Sequence, residues 1–247
     1  MPTRFYQRWL VVLAVVGLAW SWLAMLPGIA VSVVLVLRLV GRPALQLRHP
    51  TGSMRRALAD ARRAFVLLAG ATGFATVASV GLAVFIPTYL TEAGAGIVLA
   101  GAAVTTFEIG GAVGAFLGGT LSDRIGRRAM LALGIVVGAP LLMLALSLPP
   151  GVPMLVVLAL AGVAILSAGP VQLVLMQELL PDNRGAAVGL SIFVTTVASA
   201  VGTMAIGALG QAIGLQQALM LAAAVGLVSL PFIALLPETR HVSGGLA

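Results

Sequence analysis

The chain has 247 residues, of which 60% are hydrophobic and only 9% charged, with a mean hydropathy of +1.13 and a net charge of +7. Soluble domains carry about 25% charged residues, so composition excludes a water-soluble fold and predicts an all-α, polytopic membrane protein. All fourteen basic residues are Arg and cluster at the ends of apolar runs, a pattern of positive-inside topology and not of a nucleic-acid surface.

About 20 helical residues cross a hydrocarbon core of about 30 Å. That length divides the chain into seven apolar segments: 11–37, 64–90, 95–118, 129–148, 153–178, 185–210 and 215–237. The first lies in an uncharged run, 9–37, longer than the 7–15 residues or so of a signal-peptide core. It reads as one long or tilted span that places Met1 outside with Arg4 and Arg8, since two crossings and a turn do not fit. This odd start suggests truncation. The polar stretch 38–63 follows, with seven Arg against one acid, Asp60. The predicted organisation is a span over 1–40, a basic linker over 41–63, a six-helix body over 64–240 and a tail over 241–247.

The connectors of the body alternate in charge. The turn 92–96 has no base, 118–128 is basic, 148–151 is uncharged, 181–185 carries Arg184, and 210–214 is uncharged. Every second connector is basic, which predicts that 41–63 and 119–128 face the cytoplasm from the cell (inner) membrane. Asp182 and Asn183 precede Gly185 as candidate N-cap residues. Pro170 and Pro231 fall inside spans and predict kinks, because each removes a backbone hydrogen bond.

Between Glu108 and Glu178 the ionisable residues are Asp123, Arg124, Arg127 and Arg128, so 118–128 reads as a tight charged turn between spans. Just before it, Gly110, Gly114 and Gly118 recur every four residues, with Gly111, Ala115 and Gly119 offset by one. On a helix these rows make a flat face for close backbone approach, serving either static packing or a sliding contact between moving halves. Glu108, counted from residue 95 at about 1.5 Å per residue, lies about 20 Å from the outer end of its span, near mid-membrane. A carboxylate there must face a cavity, pair or be protonated, and Thr105 and Thr106 offer hydroxyl partners. Two roles stand: a proton-coupling or substrate-contacting group, or a neutral acid hydrogen-bonded between two helices.

Gln172, Gln177 and Glu178 form a second polar set, with Gln172 lying inward as a pathway candidate and Glu178, near Arg184, reading as structural. Trp20, Trp22 and Tyr89 read as interfacial or packing aromatics. Cysteine is absent, and His49 and His241 lie in polar segments, so neither a metal site nor a cofactor is expected. An intramembrane enzyme needs paired Asp, a Ser with a His, or metal-binding His in the bilayer. The deep carboxylate is single and neither His lies within a span, so no enzyme is expected.

The order Gly119, Asp123, Arg124, Gly126, Arg127, Arg128 resembles the signature loop of the major facilitator superfamily of transporters. The string Gln-Glu-Leu-Leu-Pro-Asp-Asn-Arg-Gly over 177–185 resembles that family's loop between its tenth and eleventh helices. The resemblance covers residues 20–240. In that family two six-helix halves repeat one plan, with the signature between the second and third helix of a half. It implies that 64–237 is the C-terminal half, helices seven to twelve, that 11–37 is helix six, and that 38–63 is the central linker. It further implies that the signature residues are a conformational lock, with Asp123 near the N-terminus of the eleventh helix, where the helix dipole favours a carboxylate, and Arg184 as its partner. Arg127 and Arg128 would then anchor at the headgroups.

The function implied for the parent is proton-coupled transport or efflux, as an antiporter, of a small organic molecule by rocking of two halves about a central site. The string Tyr-Leu-Thr-Glu-Ala-Gly-Ala-Gly over 89–96 resembles drug-efflux members of the fosmidomycin-resistance group. The implied partners are the lipid bilayer, a small-molecule substrate, and an N-terminal half or second copy. The alternative is an assembly subunit or split-transporter half that needs a separately encoded N-terminal half.

Overall fold

A computed structural model describes residues 26–39 and 61–236. Helix α1, Leu26–Leu39, belongs to a compact unit separate from the rest. The remainder of the first predicted span with Trp20 and Trp22, the linker over 41–60, and the tail lie outside the described residues.

The body runs α2 (Arg62–Glu92), α3 (Ile97–Ile125), α4 (Arg127–Ser147), α5 (Val152–Leu166), α6 (Ala168–Leu179), a 3-10 turn (Pro181–Asn183), α7 (Arg184–Ile213), α8 (Leu215–Leu227) and α9 (Ser229–Leu235). No strand occurs among the described residues. α6 continues α5 and α9 continues α8, so six runs are long and apolar enough to cross a membrane. Helix is the form such runs must take, because lipid offers no partner to an open N–H or C=O. The chain is thus an all-α polytopic membrane protein.

Two spans are broken where the sequence places proline. Pro170 has no N–H for the carbonyl of Leu166, and the helix interrupts at Ser167, whose hydroxyl donates to Ala164 O at 2.6 Å. In the last span the break precedes Pro231, and Ser229 donates to Gly226 O at 2.7 Å. Pro87 and Pro140, in contrast, sit inside unbroken α2 and α4.

The charged run 118–128 is not the turn that its composition predicts. α3 continues through Asp123 and Arg124 to Ile125, α4 begins at Arg127, and Gly126 alone reverses the chain with φ 95° and ψ 146°. Backbone of that kind is open to glycine and strained for other residues. Gly214 repeats the device between α7 and α8 with φ 92° and ψ 147°. The end of the bundle carrying Gly126 is the signature end, and the other the far end. Asn183 stands directly before α7, but its side chain makes no cap hydrogen bond, contrary to its predicted capping role.

One buried cluster fills the far end around Ile86, Leu90, Phe107, Leu146 and Leu158. A second fills the signature end around Leu68, Met130, Val171, Met176 and Ile233. Half of the apolar window of α4 is buried, against 11% for α7. α4 is therefore the embedded span, and α7 presents its surface to lipid or to another body. Large side chains such as Phe116, 76% exposed, and Met204, 75% exposed, stand on such surfaces, which water would not tolerate in quantity.

Candidate transport site and signature turn

The rotation of α3 is set by its glycines. An added Cβ would stand 2.9 Å from the carbonyl carbon of Ala159 at Gly110, 2.7 Å from Val163 Cα at Gly114, and 2.9 Å from the carbonyl carbon of Ser167 at Gly118. These partners also recur every four residues, along and just past α5, so backbone meets backbone inside the bundle. Gly162 returns the contact, its added Cβ lying 3.0 Å from Gly111 N. The row is occupied by α5, within the six-helix body. Gly119, off the row, meets nothing within 4 Å.

With that face turned inward, Thr105, Glu108, Ala112 and Phe116, spaced three or four apart, form an exposed strip on α3. Glu108 lies about 17 Å from Ile97 at about 1.5 Å per residue. Among the described residues it makes no hydrogen bond or ion pair, so it does not tie two helices of this bundle together. Thr105 donates its hydroxyl to Gly101 O at 3.0 Å and keeps its oxygen lone pairs free for a ligand. Thr106 is half-buried beside the strip.

Gln172 stands elsewhere. It lines a cavity of about 20 Å³ near the signature end, with Thr72 of α2, Leu131 and Ile135 of α4, and Ile233 of α9. Thr105, Thr106 and Glu108 do not line this cavity. The volume suits about one water molecule, too little for an organic solute. Gln172 and Glu108 therefore do not share this cavity.

At the signature end the two consecutive arginines take different partners. Arg127 forms an ion pair with Glu178 at the end of α6, their side chains 10% and 30% exposed. Arg128 donates Nη1 to the carbonyl of Leu236, just past α9, at 3.4 Å. Both partners lie at the signature end of the same bundle. The single-residue turn at Gly126 puts both arginines in the first turn of α4, where the ends of α6 and α9 adjoin it. Asp123, Arg124 and Arg184 are exposed, and the expected Asp123–Arg184 pair is not formed. Glu178 Oε2 and Asn183 Nδ2, an acceptor and a donor, are buried without partners among the described residues.

By sequence Glu178 stands near Arg184, and nothing within its own segment points to Arg127. The available signal was connectivity: consecutive antiparallel spans bring the start of one beside the end of the next, which here joins α4 to α6. A polar knot at the far end has no local mark in the sequence. There the carbonyl of Leu146 accepts from Gln216 Nε2 at 2.7 Å and from Tyr89 Oη at 3.4 Å.

Six apolar spans, two of whose five connections are one-residue glycine turns, with a lone carboxylate on an exposed mid-span strip, define a polytopic α-helical membrane protein. Residues 67–247 match the Major Facilitator Superfamily, and the chain belongs to it. Over 114 residues it is 40% identical to the uncharacterized MFS-type transporter YfnC of Bacillus subtilis (strain 168), covering 45% of this chain and 27% of that protein. Its fold is similar to that of a bacterial homolog of the human lysosomal transporter Spinster, solved in an inward-facing and unoccupied conformation. That likeness has a TM-score of 0.63 at 16% identity and covers 77% of this chain. The chain spans about half of that solved transporter, 51%.

Proposed function

We propose that residues 62–236 act as the C-terminal six-helix half of a proton-coupled transporter, an antiporter that expels a small organic solute by rocking against an N-terminal half. The observation that carries this reading is Glu108: a carboxylate near mid-span, on an exposed strip, with no partner in its own bundle. A charge in that position is costly in lipid and belongs beside an aqueous cavity, where protonation and solute binding can alternate on it. Thr105 supplies a neighbouring acceptor for the solute.

The signature end faces the cytoplasm in this reading. Arg62, Arg63, Arg124, Arg127, Arg128 and Arg184 all lie there, whereas the far end carries Glu92 and no Arg among the described residues. Asp123 and Arg184, both exposed at that end, pair only in another state of the cycle and so form its lock. Efflux as the direction rests on the likeness of 89–96 to drug-efflux members. A second reading, a split half that takes up a separately encoded six-helix partner, draws on the exposed surface of α7, and co-purification with such a partner tests it.

The test of coupling is Glu108→Gln in proteoliposomes carrying the half together with its complement. Internal pH is read by a trapped dye while a panel of small organic solutes is added. Wild-type protein should move protons on addition of a transported solute, and the variant should lose gradient-driven movement while still exchanging solute for solute. Undiminished proton-driven transport by the variant would overturn the assignment.

A further inference from the structure

Two antiparallel spans of the bundle cap each other at both ends. Gln216, second residue of α8, donates Nε2 to the carbonyl of Leu146 in the last turn of α4, at 2.7 Å. Arg128, second residue of α4, donates Nη1 to the carbonyl of Leu236, which follows α9, at 3.4 Å. The last carbonyls of a helix lack intrahelical partners, and in apolar surroundings an open acceptor is costly. Each span therefore takes, from the first turn of the other, the donor that its own last turn needs. Between the two caps the spans share buried cores, Leu142 with Leu219 toward the far end and Leu131 with Ile233 toward the signature end.

Interlocked side chains oppose a slide of one span along the other, but lipid is as apolar as leucine, so the hydrophobic effect adds little to that resistance. Directional bonds do add to it, and a slide of one residue, about 1.5 Å, would break the caps at both ends together. Bonds at one end only would leave a hinge, whereas bonds at opposite ends fix tilt as well as register.

We propose that α4 and the span formed by α8 and α9 are a register-locked unit, with Arg128 and Gln216 as its positioning residues, and that the pair keeps this register through any conformational cycle. Neither the coupling role of Glu108 nor the identity of the solute enters this argument.

The test uses the full chain in bicelles, read by amide hydrogen exchange at the two helix ends. Gln216→Leu should raise exchange in the last turn of α4, and Arg128→Met should raise it at the end of α9. Each rise should be roughly fivefold and confined to its own end, the factor that a net hydrogen bond of about 1 kcal/mol carries. Gln216→Lys and Arg128→Lys keep a donor and should restore protection. Unchanged exchange in both apolar variants, or failure of both lysine variants to restore it, overturns the proposal. A second measurement does not depend on the variants folding. The chain has no cysteine, so spin labels on Val136→Cys and Val228→Cys report one distance across the pair. A single narrow distribution is expected, unchanged when pH is varied, and a broad or two-peaked one overturns the proposal.

Discussion

Replacing Gly114 by alanine adds a single methyl group, and in an ordinary helix it would stabilise the protein by about 0.5–1 kcal/mol. Here the methyl would stand 2.7 Å from Val163 Cα and 2.8 Å from its carbonyl carbon, about 0.7 Å inside the 3.4 Å at which ordinary contact begins. Those atoms are backbone and cannot rotate away, so α3 and α5 must separate. Separation also strips the matching contacts at Gly110 and Gly118, which lie on the same line of approach. Overpacking of this kind costs about 1–3 kcal/mol. Gly114→Ala should therefore destabilise the bundle by about 2 kcal/mol, roughly thirtyfold in the folded-to-unfolded ratio. Gly119→Ala, five residues along the same helix with nothing within 4 Å, should be neutral or slightly stabilising. Gly111→Ala meets the side chain of Leu166, which can turn aside, and should fall between them. Reversible unfolding of the three variants in one bicelle composition, by steric trapping, measures the differences. Equal stability of Gly114→Ala and Gly119→Ala would refute the close backbone approach.

Glu178→Gln should cost about 2 kcal/mol, because it removes the Glu178 carboxylate from the largely buried Arg127; the figure is discounted for the 30% exposure of Glu178. Arg127→Met combined with Glu178→Leu should recover most of that loss, and a double-mutant cycle with no coupling energy would deny the pair. Gly126→Ala and Gly214→Ala should each cost about 1–3 kcal/mol from backbone strain alone, since neither position has an atom within 4 Å for a methyl to strike. The two losses should match in an unfolding measurement because the dihedral angles match, and a neutral result at either turn would sink this account.

The six spans from Arg62 to Leu235 are legible in the sequence because each is a run of residues that individually prefer lipid to water. The glycine turn at Gly126 and the proline-linked breaks near Ser167 and Ser229 are partly legible for a similar reason, since each follows from the chemistry of one or two residues. The length of α3 is less so. Asp123 and Arg124 read as a loop by their charge, yet at a membrane surface the last turn of a helix carries charge without cost, and the helix runs on to Ile125.

The sequence by itself determined that the chain spans a membrane, where its six body helices lie, and the family to which it belongs. All of these depend on residues taken singly or within one short run. Only the tertiary structure decided that the Gly110 row turns inward against α5 and so leaves Glu108 exposed, that Arg127 reaches Glu178, and that Arg128 and Gln216 cap the ends of each other's helices. In a bilayer the buried and lipid-facing sides of a helix share one apolar composition, so hydropathy carries little record of rotation or partner. Those choices are made between residues far apart in the chain, by the fit of backbone to backbone and of donor to open carbonyl.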